Sequence, residues 1–362
     1  MVESFTESFK VPERDAVRVD ADALRAAAAG LIEKMGVPPA DAELAADVLV
    51  SADLRGVESH GVSNMLKVYL DRYADGTTNP RPEWTVVRDR PAIANIDCDR
   101  GLGVILAPKA MDLAIAKARE TGVGVVTMFN CGHLGMASYH AMRALAHDMV
   151  GMCMTATGPS VLPTFGAEPR LGTNPIAIAA PALHRPPFVL DMATSTVAVN
   201  KLRNAKRLGS LLPPGTVADA QGTPIMEAVP VPDDYFGLPL GSTRELGSHK
   251  GYGLAAAVEV LCSVLSGAGF ATRLPRTHYR HYVAAYDVSA FTDATEFKQT
   301  MDDFIGELTA TPPAPGQERV MVAGQPEWEA EAEHRAHGIP LHREVVDWLR
   351  STCAEMGVAC GV

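Results

Sequence analysis

Three features of the sequence predict a mixed α/β protein. Helical periodicity, with apolar residues three and four apart, occupies both ends of the chain. Residues 157–188 change to short apolar runs broken by prolines and glycines, which is strand-and-turn composition. No GxGxxG lies between a strand and a helix, and no GxxxxGKS/T occurs. Gly122-Val123-Gly124 and Gly267-Ala268-Gly269 both lack the third glycine, so neither a Rossmann nor a P-loop domain is expected. At 362 residues the chain is too long for one small core. A rule of roughly 150 residues per domain gives two or three domains.

The elements follow in order. Residues 20–35 read as a helix with the stripe Leu24, Ala27, Ala28, Leu31 and Met35, and Gly36 sits just past its end. Pro38-Pro39 separates it from a second helix at 40–54, and a third follows at 64–73. Residues 92–97 and 102–106 look like short strands or extended pieces. Pro108 suits the first position of a helix over 109–120, which Gly122 ends. A strand at 123–128, a helix at 137–148 and a strand at 150–156 come next. Further short strands are expected at 175–180 and 188–190, and a helix start at 191–201. The proline-rich stretch 211–241 reads as a long ordered loop with short strands. Residues 253–265 form the most apolar helix, which should be buried. Residues 270–290 are strand-like, 292–309 helical and 320–322 a short strand, and helices at 326–336 and 343–356 close the chain.

Composition excludes several classes of function. Apolar residues make up 47% and charged residues 21%, as in ordinary globular proteins. The formal net charge of −11 opposes nucleic-acid binding, and no lysine or arginine block offsets it. No apolar run reaches the roughly 18 residues of a membrane span. Residues 1–7 lack the basic and apolar segments of a secretory signal. The six cysteines are scattered without a CxxC, which fits reduced thiols in a cytoplasmic compartment.

Three glycine-flanked histidines carry the chemistry. Glu58-Ser59-His60-Gly61-Val62 places an imidazole beside a hydroxyl that can orient it, at a glycine that allows close approach. Cys131-Gly132-His133-Leu134-Gly135-Met136-Ala137 repeats the theme, and Gly247-Ser248-His249-Lys250-Gly251 adds a cation. His60 could equally be a satisfied structural histidine. Cys131 and His133 raise a Cys/His acyl-transfer reading, although such partners usually meet in space rather than in sequence. His249-Lys250 at a helix start attracts phosphate or carboxylate, or is a capping loop with a surface lysine. His334 and His337, three apart among glutamates, lack a third ligand, so a solvated face and no metal are expected. His278 and His281 alternate with tyrosines in a strand, where packing explains them.

Taken in chain order, the motifs resemble one family. They are Asp53-Leu54-Arg55-Gly56-Val57-Glu58-Ser59-His60-Gly61, Asn79-Pro80, Gly132-His133-Leu134-Gly135 and Leu171-Gly172-Thr173-Asn174-Pro175. Asp191-Met192-Ala193-Thr194-Ser195, Ser248-His249-Lys250-Gly251-Tyr252-Gly253-Leu254, Gly324-Gln325-Pro326-Glu327 and Gly338-Ile339-Pro340-Leu341 complete the set. Together, over residues 20–345, they resemble the malate/L-lactate dehydrogenase family, with its ureidoglycolate and sulfolactate dehydrogenase-like members. The resemblance implies an α/β fold with a non-Rossmann NAD(P)-binding domain on a largely antiparallel sheet, and a helix-rich part built from both chain ends. The implied boundaries are 1–125, 126–285 and 286–362, in a homodimer.

The resemblance also implies roles. His60 is the proton donor, Ser59 its partner, and His133 a second catalytic group. Leu134, Gly135, Met136, Ala137, Thr173 and Asn174 fall in the substrate region. Asp191, Met192, Ala193, Ser248, His249, Lys250, Gly324, Gln325 and Pro326 resemble contacts to NAD or NADP. Two positions depart from the pattern. Many members carry arginine, a grip for the substrate carboxylate, where this chain has Asn64. Cyclic-imine reductases of the family carry aspartate where this chain has Lys201, which favours the dehydrogenases. The expected activity is hydride transfer between nicotinamide and C2 of a small 2-hydroxy or 2-oxo acid. His60 would have its ordinary pKa near 6.5, and Lys201 or Lys250 would replace the missing arginine. The alternatives are reduction of a cyclic or N-alkyl imino acid, the Cys131/His133 acyl transfer, and a cofactor-binding scaffold without catalysis.

Overall fold

The structure, a computed structural model, describes residues 9–362. The reading of residues 1–7 lies outside them. β1 (Ala16–Val19) leads into α1 (Ala21–Lys34), whose first turn is capped by the Asp20 carboxylate accepting from the N–H groups of Asp22 and Ala23. α2 (Pro39–Leu54) opens on Pro39, where no N–H is needed. A 3₁₀ turn (Glu58–His60), a π turn (Val62–Leu66) and α3 (Lys67–Ala74) follow. Next come β2 (Thr85–Arg90), β3 (Ile93–Asp97), α4 (Gly103–Thr121), β4 (Val123–Cys131), α5 (Ala137–Met142) and β5 (Met149–Ala156). β6 (Ile176–Ala180), β7 (Phe188–Met192) and α6 (Val199–Leu208) precede four two-residue strands. These are β8 (Leu211–Leu212), β9 (Val217–Ala218), β10 (Val229–Pro230) and β11 (Phe236–Gly237). α7 (Ser248–Glu259), β12 (Tyr279–Asp287), α8 (Ala294–Thr309), α9 (Gln325–His337), β13 (Ile339–His342) and α10 (Arg343–Met356) complete the chain.

The fold is mixed α/β around a seven-stranded sheet in the order β2-β3-β4-β12-β5-β6-β7. Only β3 and β4 run parallel, and α4 is their crossover. β12 comes from late in the chain yet occupies the middle: Val283 lies opposite Val126 on one side and Cys153 on the other. Helices α4 and α5 lie on one face so closely that glycine is required beneath them. A Cβ on Gly124 would sit 1.8 Å from the Ala114 carbonyl oxygen, and one on Gly151 2.0 Å from that of Ala141. Val258 and Cys262 cover the other face against Met154, Tyr282 and Ala284. The chain ends meet where β1 pairs antiparallel with β13, and Leu24, Leu31, Leu49 and Leu349 share one core.

Four expectations need correction. Residues 102–106 are the start of α4, and Pro108 lies inside that helix. The helix begins early because Gly103 packs on backbone: a Cβ there would be 2.6 Å from the Gly132 oxygen, and Val104 N–H donates to the His133 carbonyl. Residues 191–192 end β7, paired with Ala177 and Ile176, and the helix starts only at Val199. The apolar helix begins at Ser248 and ends at Glu259. Leu254 on it, and Val260, Val264 and Leu265 in and after the π turn that continues it, are exposed. Residues 320–322 form no strand, although the Ala323 carbonyl accepts from Val189 N–H.

Gly124→Ala tests the helix-on-sheet contact. Because backbone cannot move aside as a side chain tip can, it should cost about 3 kcal/mol, the upper part of the overpacking range, in a denaturant titration.

Candidate active site

The turn after α2 carries Ser59 and His60, and it is fastened from two sides. The Asp53 carboxylate accepts from Val62 N–H at 2.7 Å. Gly61 makes room for it, since a Cβ there would lie 1.9 Å from Asp53 Oδ1. On the other side Asn64 Nδ2 donates to the Glu58 carbonyl at 2.8 Å and to Asn204 Oδ1 on α6 at 2.7 Å. Ser59 is buried, with its hydroxyl 2.9 Å from His60 Nδ1, and Nε2 is left for chemistry. Burial, and then the Lys201 ammonium, push the His60 pKa down to about 4. His60 is therefore neutral at pH 7, which corrects the expectation of an ordinary value.

His133 stacks on His60, with ring centroids 5.5 Å apart and planes 18° from parallel. Gly135 N–H donates to His133 Nδ1 at 3.2 Å, and the Tyr69 hydroxyl lies 2.7 Å from the same atom. Nδ1 is thus the acceptor, and the neutral ring carries its proton on Nε2. Burial holds its pKa well below the ordinary value, with His60 and Arg72 adding to the effect. The loop around it is pinned at both flanks: His281 Nε2 lies 3.0 Å from the Gly132 carbonyl and His140 Nε2 2.7 Å from that of Leu134. Tyr279 meets His133 edge-on at 5.3 Å, under the Arg72 guanidinium.

The cofactor-like segments converge near the end of β7. Asp191 accepts from Ser138 N–H at 2.7 Å, which ties β7 to the first turn of α5, after the His133 loop. Gly324, at φ 90°, packs against Val189, where a Cβ would come within 2.9 Å. Leu240 N–H donates to the Thr194 carbonyl at 2.9 Å, and the first turn of α7 packs on Leu240 through Gly251. The first turn of α7, which carries Ser248, His249 and Lys250, is thereby joined through Leu240 to Thr194, just past β7. Arg244 donates to His249 Nδ1 at 3.0 Å and enlarges this cationic edge. Asp191 is open to solvent, yet surrounding protein, and Glu327 among its charges, raises its carboxyl pKa. Lys201 is half-buried, its pKa lowered by burial, and it makes no ion pair among the described residues. Gln325 donates to Glu329, and Pro326 lies in the first turn of α9.

Several expected site residues are placed otherwise. Asn64 is buried with both amide hydrogens committed, so it offers nothing to a substrate carboxylate. Asn174 is fully buried, accepting from Thr157 N–H and donating to the Ala255 carbonyl, while the Thr173 carbonyl accepts from Thr194. Leu134, Met136 and Ala137 are buried and, with Gly135 at φ 75°, support His133 from behind. The Cys131 thiol is buried against the Gly101 carbonyl and interacts with Cys98 and His281, while His133 Nδ1 is engaged by Tyr69 and Gly135, so Cys131 and His133 do not pair. Sequence reasoning missed Tyr69, Asp53 and Asn204. Tyr69 lies in the helical pattern after His60, but nothing local reveals a partner 64 residues away.

The malate/L-lactate dehydrogenase family model matches residues 19–350. A malate dehydrogenase of Pyrococcus abyssi is 38% identical over 94% of this chain and 96% of its own. An L-sulfolactate dehydrogenase of Methanocaldococcus jannaschii is 36% identical over 91% of this chain and 94% of its own. The crystal structure of a malate dehydrogenase from Entamoeba histolytica superposes with a TM-score of 0.91 at 30% identity, covering 96% of this chain and 100% of that one. The fold is shared with dehydrogenases of hydroxy acids. The chain belongs to the malate/L-lactate dehydrogenase family.

Glu58 gives this region a distinctive pH response. Burial raises its pKa to about 7, despite a Val11 N–H and the Arg207 and Lys10 charges. A raised carboxyl stabilises the fold fully below its unfolded pKa, and that contribution is lost as pH rises through about 7. Glu58→Gln should therefore raise the Tm relative to wild type at pH 8.5 and leave it nearly unchanged at pH 4.5, as read by calorimetry.

Proposed function

We propose that the protein is an NAD(P)-dependent dehydrogenase of small 2-hydroxy acids, with His60 as the proton acceptor. The observation that carries this reading is the Ser59–His60–His133 arrangement: two stacked neutral imidazoles with complementary roles. His60 Nδ1 is engaged by Ser59, so Nε2 can take the hydroxyl proton as the alcohol is oxidised. His133 is held with its Nε2–H as a donor, suited to bind the oxygen on which charge develops. Lys201 supplies a positive charge beside His60, in place of the arginine absent at position 64, and suits a substrate carboxylate.

The residues present fit a nicotinamide dinucleotide. Arg244, His249 and Lys250 at the start of α7 suit its phosphates, and accessible Asp191 suits a ribose hydroxyl. Gly324 lets the chain before α9 lie directly on β7 beside that carboxylate. When bound, the nicotinamide supplies or accepts the hydride at C2. The protein's own residues orient the hydroxyl, exclude water and move the proton at His60 Nε2.

The lysine at position 201 weighs against imino-acid reduction as the main activity. We further propose a cytoplasmic homodimer, with the cofactor domain at 126–285 between the terminal parts. The exposed apolar side chains Leu254, Val260, Val264 and Leu265 support a subunit contact. No helix among the described residues is long and apolar enough to cross a membrane.

A panel of 2-hydroxy and 2-oxo acids, assayed at 340 nm with NAD and NADP in parallel, tests the activity; no turnover with any of them would refute it. His60→Ala should reduce turnover by roughly 10²–10⁴-fold while cofactor affinity holds. In the oxidation direction kcat/KM should rise with pH through about 4 and level off, because neutral His60 is the active form. A midpoint near 6.5 would remove His60 as the base. Asp191→Ala should weaken reduced-dinucleotide binding in a fluorescence titration more than it raises the substrate KM.

A further inference from the structure

Helix α6 presents one row of side chains to the turns around His60. Asn200 lies 3.2 Å from the Met65 sulfur, Asn204 accepts from Asn64 at 2.7 Å, and Arg207 donates to the Ser63 carbonyl at 3.4 Å. Lys201 belongs to the same face, since residues three and four apart on a helix are neighbours. Asn204 is buried, and its partner Asn64 also holds the Glu58 carbonyl within the His60 turn. One amide pair thus joins the helix bearing the cation to the turn bearing the imidazole.

We propose that Asn204 is a positioning residue: through Asn64 it fixes the Lys201 ammonium against the Ser59–His60 turn. Its kinetic readout rests on the hydroxy-acid dehydrogenase reading, but its structural readout does not. Lys201 faces His60 from α6, and His133 faces it from the loop after β4. Lys201 is the cationic member of that set, and its charge disfavours the imidazolium. Breaking the amide pair frees α6 to draw the ammonium away and lets the proton affinity of His60 rise.

The experiment is a histidine NMR titration of the whole protein, with His60 assigned by the resonance lost in His60→Ala. Asn204→Ala is compared with wild type, and again in a Lys201→Met background. The expected result is an upward His60 shift on the order of one pH unit in the first comparison and none in the second. The acid limb of kcat/KM should move with it. An unchanged His60 titration would overturn the proposal. So would an equal shift in both backgrounds, which would mean that Asn204 merely excludes water. If Asn204→Ala does not fold, Asn204→Ser, which keeps an oxygen on a shorter arm, carries the same expectation and the same reversal. Full turnover in His60→Ala would sink the dehydrogenase role of His60 and leave this titration independently readable.

Discussion

Backbone lying directly on backbone is the constraint from which the site descends. Gly124 and Gly151 let α4 and α5 settle on β4 and β5 without a side chain between them. Gly103 extends the same contact to the N-terminal end of α4, which rests on the Gly132–His133 peptide. His133 is therefore referenced to the sheet, and its ring is aimed by three further groups: Tyr69, Gly135 and the flanking carbonyls held by His140 and His281. Functional side chains placed on such rigid supports keep their geometry without help from ligand.

The second organising effect is desolvation. Around His60 the protein removes water without supplying a carboxylate to match, so the neutral imidazole wins. The same crowding raises the pKa of Glu58 and Asp191 and lowers that of Lys201. Every one of these shifts favours the uncharged form. Burial is the leading cause of each, so the surroundings of His60 resist gaining charge.

Much of this was legible in the sequence. Helices at both ends, the alternating middle and the absence of GxGxxG pointed to a mixed α/β fold, because periodicity and turn residues are local properties. His60, His133 and Lys250 stand out through their immediate neighbours, whereas Asp191 is singled out only by the family resemblance. What could not be read was pairing across distance. Pro108 inside α4 broke the usual rule because tertiary packing at Gly103 outweighs a missing N–H. Asp191 looked like a helix start until its strand partner Ala177 fixed it in β7. Asn64 looked like a vacant substrate hand, and only Asn204, 140 residues on, shows that the hand is full.

The place of β12 has a consequence for how the chain is made. A nascent chain that ends before Tyr279 has β4 and β5 as two open edges, each lacking its central partner. The main sheet can close only once β12 has been made, and closure then requires pairing between segments far apart in sequence, which is slow. During that interval both edges carry apolar residues such as Val126 and Cys153 that the finished fold hides. Unpaired strand edges of this kind are what chaperones shield on a ribosome-bound protein. Truncations after residue 287 therefore retain the centre of the sheet, whereas those before 279 forfeit it, whatever else they preserve.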